Sequence, residues 1–299
     1  TLQLDYFCMR LLSMIEKIKS HQAEIRLDHY LQNKLDLSRN KIQDLIKNNQ
    51  ILVNKKTVKS SYKLKEFDEI QVDIKLPEST EKVISSLIDY LYEDEHLLVI
   101  NKQAGLLVHD TDNNTNETLV DCLKRDKVNL YLNDAIRPGI VHRLDKMTEG
   151  LLIIAKTKES YTHLVNQFKN RTIKKSYYAM LKGNIKNSNI TINQPIDRDF
   201  KQRNKYKVAK TGKDAITHVN VLERFNSKTL CEIEIETGRT HQIRVHMHFI
   251  GHPVLGDTFY SKSMRKQGQL LQAYKLKFMH PVSKKNIIIQ LPISKRILS

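Results

Sequence analysis

The apolar positions of this chain repeat with two different periods, and the changes of period mark out its elements. Leu151 to Ala155 is a short aliphatic run bounded by Gly150 and Lys156. A run of that length and composition reads as a fully buried strand. Residues 88–96 lead into Leu97 to Ile100, which reads as the first strand of the larger domain. Residues 172–181 alternate apolar and polar positions, as a strand does, and residues 190–196, 215–225 and 229–236 predict three more strands. Residues 158–171 switch to a helical period, with Tyr161, Leu164, Val165 and Phe168 on the inward face. A surface helix is predicted over 118–127.

The first quarter of the chain has its own pattern. Leu11, Leu12, Ile15 and Ile18 recur at helical spacing, which predicts a helical extension over residues 1–24. Residues 25–76 read as a compact unit. One helix carries Leu27, Tyr30 and Leu31 on one face; a second is capped by Ser38, with Arg39, Lys41, Gln43 and Lys47 on its polar side. Short strands at 51–54 and 69–74 follow. The polar stretch 77–87 predicts a linker, leaving 88–299 as the larger domain. The fold class expected is α+β: a small helix-and-strand unit, then a domain built on a mainly antiparallel mixed sheet with flanking helices.

Charge narrows the partner. The 299 residues hold 50 Lys and Arg against 33 Asp and Glu, a net +17, which favours a polyanion: RNA, DNA or an anionic membrane surface. Residues 25–76 contribute eleven basic and seven acidic side chains. Most of the excess therefore lies in the larger domain. Its interval 197–214 is rich in Lys and Arg with Tyr206 among them, and reads as a flexible loop suited to gripping such a polyanion. No apolar run approaches the roughly 20 residues of a membrane span, and residues 1–21 carry no cleavable-signal pattern. Cys8, Cys122 and Cys231 form no pair of metal-site spacing and are expected to be free thiols in a reducing, cytoplasmic setting. His241, His246, His248 and His252 suggest zinc at first sight. Only His248 and His252 are four apart, and Gly251 and Pro253 break the helix between and beyond them, so no metal site is expected.

The candidate chemistry lies just before the buried run. Pro138-Gly139 makes a turn, and Ile140-Val141-His142-Arg143-Leu144-Asp145 leads from it to the mouth of the sheet. A carboxylate there, two residues from a guanidinium, can be partly buried, kept ionised and aimed at a substrate. Taken alone, an Asp in such a place is as readily a turn or cap residue.

Three ordered motifs alter that balance. His142-Arg143-Leu144-Asp145 with Thr148 and Gly150, the set Lys175, Tyr177 and Ala179, and Arg239-Thr240-His241-Gln242-Ile243-Arg244 together resemble the RluA-type pseudouridine synthases, in the branch acting on large-subunit ribosomal RNA. Residues 25–76 resemble the alpha-L RNA-binding domain, through RLDHYL, LSRNKIQDLIK, ILVNKKTVK and SYKLKEFDEIQV. The resemblance implies a cofactor-free isomerisation of uridine to pseudouridine. Asp145 would act as nucleophile at the anomeric carbon or as base at the neighbouring ribose carbon, and the sequence leaves both open. It implies Tyr177 as the ring under the target base and Arg244 as the partner of Asp145. Arg143 would help hold the extruded nucleotide, with His142 and Arg239 also against RNA. Arg26, Arg39, Lys41 and Lys47 are expected on phosphates, and Thr240 is expected to cap the helix carrying Arg244. Met147 and Glu149 depart from the family's common Asp and Ser, and Glu149 is expected to add an acid near the site.

The expected protein is thus a monomeric enzyme acting on ribosomal RNA or its assembly intermediate. Two other readings stand beside it: a non-catalytic RNA-binding ribosome-assembly factor on the same fold, and a glycosidase using Asp145 and Glu149 as a carboxylate pair.

Overall fold

A computed structural model describes residues 12–17, 23–35, 39–74, 88–109, 117–133, 136–202, 204–261 and 268–299. They fall into two units, one within residues 1–82 and one from Ile88 onward.

The small unit contains strand β1 (Leu12–Lys17), helices α1 (Leu27–Leu35) and α2 (Arg39–Lys47), and strands β2 (Ile51–Val53) and β3 (Glu69–Ile74). Leu27 and Leu31 of α1 meet Ile42, Leu45 and Ile46 of α2, and both helices pack on Ile51, Val53, Ile70 and Val72. Over Leu12–Lys17 the expected N-terminal helix is instead β1; residues 1–11 and 18–22 lie outside the described residues. The strand pairs antiparallel with β3 from Leu12↔Ile74 to Lys17↔Glu69, while β2 occupies the other edge of β3. The apolar spacing of this segment suits a helix, but an open strand edge offers its backbone a full ladder of partners. Ser38 and the linker 77–87 lie outside the described residues.

The large unit opens with the hairpin β4 (Ile88–Glu93) and β5 (Leu97–Lys102), then α3 (Leu119–Arg125), β6 (Glu149–Ala155), α4 (Lys158–Lys169) and β7 (Lys174–Lys182). There follow β8 (Asn189–Asn193), β9 (Ile196–Arg198), β10 (Tyr206–Val208), β11 (Ile216–Arg224), β12 (Lys228–Ile235), α5 (Gln242–Phe249), β13 (Leu271–Met279), β14 (Asn286–Gln290) and α6 (Lys295–Leu298). The main sheet runs β4-β5-β6-β13-β7-β12-β11-β8, with β14 also on β13. Its pairings are antiparallel except β13 with β6.

Alternation along the strands builds a core on each face. Leu98, Ile100, Leu152 and Ile154 join Leu119 and Leu123 of α3 and Ile243 and Met247 of α5. Leu97, Val99, Leu151 and Ile153 turn the other way, onto Leu164 of α4 with Leu276 and Phe278. Every residue of β6 is buried, as its unbroken apolar run requires once helices cover both faces. The helix expected at the surface over 118–127 is α3, which buries four of its residues behind a capping box of Thr118 and Asp121. Gly150 is set by close approach: at φ +115, a Cβ there would lie 2.1 Å from the Ala273 carbonyl oxygen. That contact draws the start of β6 against β13, immediately after the turn bearing Asp145.

The interval expected to be a flexible loop contains the hairpin β9–β10, in register Tyr206↔Arg198 to Val208↔Ile196. Tyr206 and Val208 pack with Ile196, Ala215, Val245 and Tyr260. That small apolar root gives a basic segment an ordered base. Cys122 and Cys231 are buried free thiols, and Cys8 lies outside the described residues.

Candidate active site

The turn that carries Asp145 is shaped by its own backbone: Thr148 N–H donates to the Asp145 carbonyl at 3.0 Å. The side chain is 22 % exposed, while the facing Arg244 is only 6 % exposed. Arg244 Nη1 donates to Asp145 Oδ2 at 2.8 Å. Its other edge is taken by Asp257, with Nε to Oδ2 at 2.7 Å and Nη2 to Oδ1 at 3.0 Å. Asp257 is fully buried and also accepts the backbone N–H groups of Phe259 and Tyr260 at 2.8 and 3.1 Å. Its four bonds fix the carboxylate, the fork fixes the guanidinium, and one nitrogen remains aimed at Asp145. Rings of Phe259 and Tyr260 lie 5.3 and 5.2 Å from the guanidinium carbon. Burial alone would weaken the Arg244 charge, but the bonds to Asp257 and the charge of Asp145 outweigh it and raise its pKa.

Helix α5 starts differently from the expected Thr240 cap. His241 stands at the N-cap with left-handed φ 58 and makes no side-chain cap bond. Gln242 does the local work: its Oε1 accepts Thr237 Oγ1 and Arg239 N–H, and its Nε2 donates to Ile216 O and Thr217 Oγ1. Buried there at 3 % exposure, it ties the turn 237–241 to β11. The His241 ring faces Asp145, with Nε2 3.9 Å from Oδ2, and its Nδ1 lies 3.0 Å from the Tyr260 hydroxyl. Burial lowers its pKa against the opposing pull of Asp145.

Tyr177, on β7, is 8 % exposed. Burial first, and then the Asp145 charge, push its phenol pKa up, so it presents a neutral ring. Asp145, Tyr177 and Arg244 line one cleft of about 600 Å³, together with Arg143, Lys175 and Arg239. Burial lowers the Lys175 ammonium pKa to about 8. The cleft therefore combines an anchored carboxylate, a neutral aromatic face and a cationic rim. That set suits a negatively charged polymer presenting one planar base beside its sugar.

Residues 96–249 match the family described as RNA pseudouridylate synthase, and residues 25–70 match the S4 domain. The chain belongs to the RNA pseudouridine synthase family. It is 40 % identical, over 91 % of its own length and 91 % of the relative's, to the uncharacterized RNA pseudouridine synthase YlyB of Bacillus subtilis. It is 35 % identical to the ribosomal large subunit pseudouridine synthase D of Xanthomonas campestris, covering 86 % of this chain and 82 % of that one. Among solved structures, human RNA pseudouridylate synthase domain containing 1 superposes with TM-score 0.57 at 25 % identity, over 69 % of this chain and 83 % of that one. The α+β class, the small N-terminal RNA-binding unit and the isomerase activity expected from sequence agree with these matches. Among the described residues, no helix is long and apolar enough to cross a membrane.

The synthase fold brings some expected residues together and assigns others elsewhere. Arg143 is exposed on the cleft. Arg239 also lines it, with Nε held by the Asp214 carbonyl at 2.9 Å. His142 is committed to the wall: its Nε2 accepts Ile153 N–H at 2.8 Å, and its ring lies 4.6 Å from that of Phe168. Burial, then the Lys175 charge, bring its pKa down to about 3. In the small unit, Arg26 and Arg39 converge on the buried carboxylate of Asp28, at 2.9 and 3.0 Å. Both stay about half exposed, so each carries a structural bond and an outward charge. Lys47 is exposed on α2, and Lys41 lies on the same helix.

Glu149, expected as an extra acid near the chemistry, does not line the cleft. It is 6 % exposed and accepts Ser294 Oγ at 2.6 Å and Arg296 Nη1 at 3.3 Å. Arg296 also donates Nη2 to the Met147 carbonyl at 2.8 Å. The C-terminal helix thus braces the turn that presents Asp145. Lys102, fully buried, braces its other side with bonds to the Gln103, Leu106 and Lys146 carbonyls at 3.0, 3.0 and 3.2 Å. Sequence reasoning missed Asp257, Arg296 and Lys102 as supports. Asp257 had a local signal, in the segment GHPVLGDTFY from Gly251 to Tyr260, and Lys102 had one in Asn101 to Gly105; both segments resemble the family.

Proposed function

We propose that this synthase isomerises uridines of large-subunit ribosomal RNA, with Asp145 as the acting carboxylate, Tyr177 under the extruded uracil, and Arg244 keeping Asp145 ionised and oriented. The observation that carries the reading is the 2.8 Å bond from Arg244 Nη1 to Asp145 in a cleft shared with Tyr177. In the reaction the N-glycosidic bond breaks, uracil turns over, and its C5 bonds to C1′ of the same ribose. The C5 proton leaves and N1 regains one, so atoms and electrons balance without a cofactor. Asp145 serves as nucleophile at C1′ or as base at C2′, and either role needs it ionised beside the sugar.

Extruding the uridine costs a few kcal/mol of stacking, and the neutral ring of Tyr177 returns part of it at about 1–3 kcal/mol. Arg143 and Arg239 meet the flanking backbone, and Arg26, Arg39, Lys41 and Lys47 of the small unit run along phosphates, which position without specifying sequence. The ribosomal substrate is favoured by relatives named for the large subunit. In this reading the protein works as a cytoplasmic monomer.

The test is Asp145→Asn. The variant keeps the wild-type circular dichroism spectrum and RNA affinity and forms no pseudouridine when large-subunit RNA is mapped chemically. Pseudouridine at the wild-type rate in that variant overturns the assignment, and absence of pseudouridine with the wild-type protein overturns the substrate.

A further inference from the structure

The hairpin β9–β10 carries a side chain that the chemistry at Asp145 does not use. Phe200, in the turn between the two strands, is 80 % exposed, the most exposed large apolar side chain among the described residues. The turn is built: Asp199 N–H donates to the Lys205 carbonyl at 2.8 Å, and Asp199 Oδ1 accepts Lys201 N–H at 3.0 Å and Lys207 Nζ at 3.4 Å. Those bonds hold the backbone on either side of an aromatic ring that stays out of the core.

Its surroundings are cationic. Residues 197–214 contain seven Lys and Arg against three Asp. An apolar partner protein would have to desolvate those charges. Single-stranded nucleic acid uses them on its phosphates while its bases stack on aromatic faces. The hairpin is also rooted at the active cleft. Tyr206, the cross-strand partner of Arg198, donates its N–H to the Tyr260 hydroxyl at 2.9 Å, and its ring lies 5.6 Å from that of His241. His241 in turn faces Asp145 at 3.9 Å. Phe200 follows Arg198 by two residues, so their Cα atoms are at most about 7 Å apart.

We propose that Phe200 is a stacking platform for an unpaired base of the substrate RNA close to the target uridine, with Lys201, Lys205 and Lys207 meeting the adjoining phosphates. The proposal rests on the RNA-modifying reading of the cleft. A bare ring offers no donor or acceptor to base edges, so it selects an unstacked nucleotide over a paired one and tolerates any base identity.

The chain contains no tryptophan, so Phe200→Trp introduces a single indole at the proposed contact. Unmodified large-subunit ribosomal RNA transcribed in vitro is titrated into this variant while binding is followed by filter retention. Stacking quenches the indole emission in step with binding. Phe200→Ala weakens binding about tenfold, leaves the rate at saturating RNA within twofold of wild type, and leaves the slope of log affinity against log salt unchanged. Lys201→Ala lowers that slope by about one. Unchanged indole emission with RNA fully bound, or wild-type affinity in Phe200→Ala, overturns the platform, and the second result would turn attention to a protein partner. These failures would leave wild-type pseudouridine formation intact, which separates them from failure of the catalytic reading.

Discussion

Arg244 stands between two carboxylates that ought to behave oppositely when neutralised. Asp257→Asn removes the charge of a fully buried group that takes two guanidinium bonds at 2.7 and 3.0 Å. Asparagine can still accept the Phe259 and Tyr260 amides through one oxygen, but its NH₂ faces an arginine that only donates. The Nε bond is lost and the Nη2 bond keeps only a neutral oxygen; at about 1.5–3 kcal/mol for the first and about 1 kcal/mol for the weakening of the second, the cost is roughly 2.5–4 kcal/mol. That overlaps the roughly 3–5 kcal/mol typical of breaking a buried pair from one side. At a urea slope of about 2 kcal/mol per M, the unfolding midpoint of the catalytic unit falls by roughly 1.2–2 M. Asp145→Asn removes a charge that is 22 % exposed and leaves the Arg244–Asp257 fork whole. Its midpoint should stay within about 0.5 M of wild type, since about 1 kcal/mol divided by the same slope sets that limit. Urea titration followed by circular dichroism, with pseudouridine formation assayed in parallel, separates the two. Asp257→Asn loses stability together with rate, whereas Asp145→Asn loses rate alone. If Asp257→Asn unfolds at the wild-type midpoint, or Asp145→Asn is the more destabilised, then Asp257 does not anchor the guanidinium and the account of the site is wrong.

Other outcomes follow from the supports of the turn that carries Asp145. Burial brings the Lys102 pKa down to about 7 from 10.5, so between those values the unfolded chain binds more protons than the folded one. Stability therefore rises as pH is raised from about 7 towards 10.5, and Lys102→Met should flatten that rise in urea titrations across the window. Arg296→Met frees the Met147 carbonyl and Glu149. It should lower the single-turnover rate about 10-fold or more while RNA affinity stays within twofold, and an equal loss of affinity would refute a bracing role. In the small unit, Arg39→Ala leaves Asp28 with Arg26 and should cost about 1 kcal/mol of thermal stability. A thermal unfolding curve that does not move would show that Arg39 serves its outward charge only.

Much of this protein is decided by local sequence. The run Leu151 to Ala155 has no polar position, so it demands apolar neighbours on both faces, and β6 finds them. The helical period of α4 and the alternation of β7 are equally local, because one buried face fixes each. The three motifs name Asp145, Tyr177 and Arg244 from short stretches of chain. What the sequence leaves undetermined depends on partners remote in the chain. Leu12–Lys17 becomes a strand because β3 has an edge to fill, which no periodicity within the segment reveals. Glu149 looks like an extra acid beside Asp145 until Arg296, 147 residues away, is found against it. Arg39 looks like a free phosphate contact until the fold brings Asp28, 11 residues away, against it. A charge shows in the sequence what it can bond, but only tertiary packing decides whether its counter-charge is supplied by the protein or left for a ligand.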